Sequence, residues 1–296
     1  MKDNLHNINI IDNNNYKKIR NKGLFPDKKH KIIDPRKELF LNFLRDLCCP
    51  KFKLNSFCFI FILNNILFFI ITILYSGLDT KKDSSFLSPK TSTLISFGAL
   101  NGKKLKENIP LNLYRWIMNA FLHGNFLHLF YNIMGIFTFG TYTEYLISSK
   151  YFCIIYLSSG YIGGLFSVLI DPYSTSVGAS ICVYGIFGAY FGNCIVKWKE
   201  LDRKFGPIGK IFMSYVLFFF VLFSLLIQLP ICNGDLDINI WGHFGGLISG
   251  IFSSVTIVKP KFDRDSYIFS YKIWYIFSIS ILGSFVIIGT LFFYLF

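Results

Sequence analysis

The strongest constraint on this chain is a series of apolar stretches, each long enough to cross a membrane. They run over Asn55–Tyr75, Phe126–Leu146, Tyr151–Ile170, Gly178–Val196, Ile211–Pro230, Trp241–Val258 and Tyr271–Phe296. A bilayer core of about 30 Å needs about 20 mostly apolar residues in helical form. Composition points the same way. Charged residues make up 16% of the 296, against about 25% in ordinary soluble domains. With 53% hydrophobic residues, disorder is excluded for most of the chain. The expected fold class is all-α: a polytopic membrane helix bundle of seven transmembrane helices.

The net charge of +13 is unevenly placed. Thirteen of the 30 Lys and Arg precede the first apolar stretch, mixed with six acids. Placing the N-terminus in the cytosol puts 23 of the 30 on the cytosolic side and seven, including Arg115, in the first loop on the other. That asymmetry predicts an N-in, C-out topology, with the second, fourth and sixth spans running inward from the outer surface. No nucleic-acid recognition module accompanies the charge. The expected partner of the basic tail is instead the lipid bilayer.

Residues 1–53 read as a cytosolic, largely disordered tail, interrupted by Pro26, Pro35 and Pro50, with one short helix around Glu38–Asp46. No cleavable signal peptide opens the chain, so the first span reads as a retained signal anchor. The acids in the tail and its lack of an Arg- and Ser-rich start favour the secretory route or the plasma membrane over mitochondria. The seven cysteines form no C-x-x-C, and no metal site is expected. Cys58, Cys153, Cys182 and Cys194 read as small hydrophobes. Cys48 and Cys49 are either palmitoylation sites or two unmodified thiols. The loop of about 35 residues after the first span is too long to lack structure of its own, and is expected to be partly helical or functional.

Ionisable groups inside spans are costly and mark functional candidates. The second span opens His123-Gly124-Asn125-Phe126-Leu127-His128 and continues to Asn132; the fourth opens Gly178-Ala179-Ser180; the sixth opens Trp241-Gly242-His243. On a helix, His128 and Asn132 share a face, with His123 about 140° round from His128. Under the N-in topology, His128, Asn132, Ser180 and His243 lie at one depth below the outer surface. Small-residue pairs Gly188/Gly192, Gly242/Gly246 and Gly246/Gly250 would let the fourth and sixth spans approach closely. A serine becomes a useful nucleophile when a neighbouring base takes its proton, and histidine suits that task near neutral pH. His128, Asn132 and the Ser180 amide could supply oxyanion donors. Taken singly, each residue also has a structural explanation. A membrane serine can bond its own backbone, and an intramembrane His or Asn can tie helices together.

At these residues the chain resembles the rhomboid family of intramembrane serine proteases. The family's H-x-x-x-x-H-x-x-x-N pattern is met by His123, His128 and Asn132, its G-x-S by Gly178-Ala179-Ser180, and its His–Gly element by Gly242-His243 with Gly246. Tyr114-Arg115 resembles the aromatic–Arg pair of the first loop, Glu144 the buried acid of the second span, and Tyr184 the aromatic beside the catalytic histidine. The resemblance covers about Tyr114 to Val258. It implies a Ser180/His243 dyad, His128 and Asn132 as oxyanion donors, no cofactor, and single-span membrane proteins as substrates. It also implies a division into the tail (1–53), a six-helix core (54–258) and a loop with an additional C-terminal helix (259–296), the eukaryotic 6+1 form. One departure stands out: Ile181 follows the serine where the family usually has glycine, and a β-branched side chain there is expected to crowd the pocket or alter specificity. Tyr114 for the more usual Trp and Gly242 for the more usual Ala are milder changes.

Two other intramembrane protease types lack their motifs. No H-E-x-x-H occurs, and Asn233-Gly234-Asp235 lacks the first glycine of G-x-G-D. A transporter would show mid-membrane charges or broken repeats, and neither is present. The competing expectation is an inactive rhomboid-like protein that binds and escorts transmembrane clients.

Overall fold

The computed structural model describes residues 53–79, 86–198, 218, 222, 238–258 and 265–296, with the side chains of Ser76 and residues 265–270 excepted. The tail, its short helix at Glu38–Asp46, Cys48/Cys49, nearly all of the expected fifth span at Ile211–Pro230 and the loop of Asp235 and Asp237 lie outside the described residues. The other six expected spans are helical.

Helix α1 (Phe57–Ser76) buries Cys58, Phe61, Ile62, Asn65, Phe69 and Thr72 along one stripe, while Ile60, Leu63, Leu67, Ile70 and Leu74 face outward. The three-to-four spacing marks the packed stripe, and the outer face is apolar as well, as in a membrane span rather than a soluble surface helix. Its start is capped twice. Ser56 Oγ accepts from Phe59 N, and the Glu144 carboxylate accepts from Phe57 N and Cys58 N, both at 3.0 Å. A carboxylate at a helix N-terminus satisfies orphan amides and opposes the positive dipole end.

The loop that follows is partly helical, as its length suggested. It carries short helices α2 (Thr91–Phe97), α3 (Gly102–Lys106), α4 (Ile109–Asn112) and α5 (Arg115–Met118), and strand β1 (Leu100–Asn101). A 3₁₀ turn at Asn119–Phe121 leads to the second span. This span is α6 (Phe126–Gly135), a π turn at Ile136–Gly140, and α7 (Thr141–Ile147). The Thr138 hydroxyl in the π turn and the Thr141 hydroxyl at the start of α7 bond the carbonyls of Met134 and Phe137.

Helix α8 (Ser149–Ile170) is followed by strand β2 (Thr175–Ser176), which pairs antiparallel with β1. Helix α9 (Ser180–Val196) then runs through the middle of the bundle, with fourteen of its 17 residues buried. At about 1.5 Å per residue it is shorter than a bilayer core. It can be short because protein, not lipid, surrounds it. Helix α10 (Ile240–Ile257) packs along α9, and α11 (Asp265–Leu295) packs outside α8 and α10 with most of its surface exposed. Helices α1, α8, α10 and Tyr271–Leu295 of α11 are long and apolar enough to cross a membrane.

Backbone approach, more than side-chain interlock, joins α8, α9 and α10. A Cβ on Gly188 would collide with the Leu247 carbonyl, one on Gly250 with the Gly185 carbonyl, and one on Gly192 would lie 2.6 Å from the Ile251 oxygen. Helix α8 joins the same seam. A Cβ on Gly163 would lie 2.6 Å from the Gly242 oxygen and 2.7 Å from the Gly246 nitrogen. Small residues permit this in membranes, where association relies on close packing. Gly242 is a partial exception among the expected glycine pairs, because its own Cβ position is filled by the Asn239 side chain that caps α10.

Candidate active site

Ser180 is the first residue of α9 and His243 lies in the first turn of α10, so the glycine seam carries both to one level. His243 Nε2 and Ser180 Oγ are 2.7 Å apart, and both residues are at least 95% buried. The Tyr184 ring lies one turn below Ser180 and stacks on His243, centroids 4.5 Å apart and planes 14° from parallel. Ring stacking on one side and a hydrogen bond at Nε2 leave the imidazole little freedom. Among the described residues, His243 Nδ1 has no hydrogen-bond partner. Asn239 orients the start of α10 through Gly242 N (2.7 Å), and its amide donates to Ser176 Oγ (2.8 Å).

The segment before Ser180 is held just as closely. Gly178 has φ +131, a conformation open mainly to glycine. Its Cβ position would lie 2.7 Å from His128 Cε1 and Nε2 and 3.5 Å from Ser180 Oγ, so the His128 ring covers Gly178 beside the serine. Gly178 N donates to Asn119 O (2.9 Å), and Ala179 N to His123 Nε2 at a long 3.5 Å. Ser180 N–H is among the first amides of α9, which have no intrahelical acceptor.

One expected placement needs correction. His123 is not on the second-span helix. That helix begins at Phe126, capped by Asn125, whose Oδ1 accepts from His128 N at 2.8 Å, so a helical-wheel angle does not apply to His123. It is instead fully buried in the preceding turn, its ring edge-on to His128 at 5.2 Å. The Ile181 side chain reaches the interface of α8 and α10. Its Cγ2 occupies the space that side chains on Gly163 and Gly246 would need, wedged between α8 and α10. Asn132 is buried on the His128 side of α6, and its Nδ2 donates to the His128 carbonyl at 2.8 Å.

Arg115 and Glu144 stand apart from the serine and act on the frame. The Arg115 guanidinium donates to the carbonyls of Ile95 (2.7 Å) and Ala99 (3.1 Å) and to Asn112 Oδ1 (2.8 Å), closing the first loop on itself. Glu144 caps α1 at the other end of the second span. Cys58, Cys153, Cys182 and Cys194 are free thiols, buried or half-buried. Asn119 and Asn239 were missed from sequence; the one usable signal was Asn239 three residues before Gly242, an N-cap spacing.

A buried serine hydrogen-bonded to a histidine inside a bundle of apolar helices defines a class: an integral membrane protein with the parts of a serine hydrolase. Residues 110–260 match the Rhomboid domain family, and the chain belongs to that family. It is 27% identical over 206 residues to Rhomboid protease GluP of Bacillus subtilis (strain 168), covering 70% of this chain and 36% of the relative. It is 28% identical over 165 residues to Rhomboid-like protease 3 of Toxoplasma gondii, covering 55% of this chain and 57% of that one. Inactive RHOMBOID-like protein 8 of Arabidopsis thaliana is 28% identical over 167 residues, covering 56% of this chain and 44% of the relative. The chain thus spans well under two thirds of each of these proteins, and the family includes both proteases and an inactive member.

Proposed function

We propose that this chain is an intramembrane serine endopeptidase that cuts single-span membrane proteins within or beside their transmembrane segment. The observation that carries the reading is the 2.7 Å contact between Ser180 Oγ and His243 Nε2, with Tyr184 stacked on the imidazole. In this reading His243 Nε2 takes the Ser180 hydroxyl proton as Oγ attacks the scissile carbonyl, then gives it to the departing amine. A water then attacks the acyl-enzyme carbonyl as His243 takes its proton, and His243 returns that proton to Ser180 Oγ as the Oγ–acyl bond breaks. The developing oxyanion is met by the Ser180 amide and by His128, which lies beside it. Asn132 can join them by turning its amide from the His128 carbonyl. His123, Gly178, Arg115 and Glu144 hold this geometry without touching the reacting atoms.

The basic-residue asymmetry supports a cytosolic N-terminus and an active site opening to the non-cytosolic side, and the acids of the tail with its lack of an Arg- and Ser-rich start support residence in the secretory pathway or plasma membrane. The division into tail (1–53), six-helix core (54–258) and loop with additional helix (259–296) belongs to the same proposal. The rival reading is an inactive client-binding relative, favoured by the match to an inactive family member. Retention of both Ser180 and His243 in hydrogen-bond contact argues for the enzyme.

Labelling of detergent-purified protein with a fluorophosphonate probe separates the two. Labelling of wild type and loss of at least about 10³-fold in Ser180→Ala and His243→Ala, at unchanged folding, is expected, since nucleophile and base act as a unit. A well-folded wild type that does not label would favour the client-binding protein.

A further inference from the structure

We propose that the outer end of α11 is a latch on the first loop, and that Trp116 and Tyr294 are positioning residues for Ser180. The contact lies beyond the 110–260 family match on one side and within it on the other. Trp116 Nε1 donates to Tyr294 Oη at 3.0 Å across 178 residues of sequence. Around this bond Leu100, Leu105, Trp116, Leu165, Val168 and Phe293 form a second buried cluster, separate from the main core. Phe293 meets the Trp116 ring edge-on at 6.0 Å, and Lys106 Nζ lies 5.0 Å above Phe293. Gly164 leaves room for Leu100 and Trp116, and Tyr161 Oη bonds Thr290 Oγ1 at 2.8 Å. Helix α11 is therefore fastened to the first loop and to α8 together.

Two short paths lead from this cluster to the nucleophile. Leu100 pairs with Ser176 in the β1–β2 ladder, four residues before Ser180. On the other path, Arg115 O accepts from Asn119 Nδ2 (2.6 Å), and Asn119 O accepts from Gly178 N (2.9 Å), two residues before Ser180. A first loop that shifts when α11 lets go would carry the strand partner of Ser176 and the Asn119 carbonyl that holds Gly178 away from the segment before Ser180. The inference rests on the protease reading for its functional half, since the serine it positions is the proposed nucleophile.

The test uses the full chain in detergent with Tyr294→Phe and Trp116→Phe, each removing one end of the hydrogen bond while keeping an aromatic ring, and the double variant. Backbone amide exchange is followed over residues 98–118 and 171–179, beside the rate of fluorophosphonate labelling. The expected result is exchange in both segments faster by about 5-fold or more, and labelling slower by about 3- to 10-fold at a melting temperature near wild type. The double variant should match the worse single one, because both remove the same bond. Unchanged exchange overturns the latch, and faster exchange with unchanged labelling overturns the positioning role. A variant whose labelling loss only parallels its loss of folded protein also overturns it, as purely structural. Wild type that fails to label defeats the protease reading, and the exchange data still decide whether the latch exists.

Discussion

The seam between α9 and α10 and the junction between the first loop and α11 are both interfaces that reach the serine, yet they are built in opposite ways. In the first, glycines bring backbone against backbone, and the Leu247, Gly185 and Ile251 carbonyls stand where side chains would begin. In the second, indole, phenol, phenyl and threonine side chains make the contact, with hydrogen bonds at their polar ends. A backbone contact cannot yield by changing a rotamer, so the seam defines one distance between Ser180 and His243. An aromatic junction can repack. Rigidity therefore sits where a 2.7 Å hydrogen bond must be kept, and tolerance sits where a loop must be held.

The largest expected effect is Gly188→Ala. Its methyl group would collide with the Leu247 carbonyl and lie 2.9 Å from Ile251 N, so the helices must part. A loss of about 3 kcal/mol or more is expected, read as a fall in melting temperature in detergent with loss of labelling. Retained stability would mean that the seam is as tolerant as the outer junction, and the contrast would fail.

Ile181 comes next. If it crowded the pocket, Ile181→Gly would raise labelling. Its side chain instead fills the α8–α10 gap beside Gly163 and Gly246. Removing it should leave a cavity costing about 2–4 kcal/mol, with no gain in labelling rate per folded molecule. Faster labelling at unchanged melting temperature would return Ile181 to the pocket.

These cases mark how far the sequence could be read. The spans were legible because lipid demands long apolar runs, and the positions of His128, Asn132, Ser180 and His243 near helix starts followed from where those runs begin. The glycines of α9 and α10 carried a visible four-residue period. Gly160 and Gly164 on α8 share that four-residue spacing, but nothing local says which helix will lie against them or against Gly163. The direction of Ile181 depends on that unseen partner. The bond between Trp116 and Tyr294 joins two elements with no shared periodicity. Asn119 contributes through its carbonyl as well as its side chain, and a backbone oxygen has no residue-type signature. Glu144 could be placed at a span's inner end, but its two bonds to the start of α1 required the fold.

The smallest effects complete the contrast, because they repeat the glycine-to-alanine change on the other side of the molecule. On α11, a Cβ at Gly289 would lie 3.3 Å from Leu165 Cδ2 and 3.4 Å from Leu169 Cδ1, the mobile ends of two side chains. A shift of a few tenths of an ångström accommodates it, at a cost near that recovered by removing a helical glycine, about 0.5–1 kcal/mol. Gly289→Ala should therefore be nearly neutral in melting temperature. Gly283 has nothing within 4 Å of its Cβ position, so Gly283→Ala recovers the backbone term alone and should stabilise slightly. Thermal unfolding of Gly188→Ala, Gly289→Ala and Gly283→Ala in one detergent provides the comparison. The expected order is a large loss, almost no change and a small gain. A large loss at Gly289 would show that α11 also meets the core through its backbone, and would remove the distinction between the two interfaces.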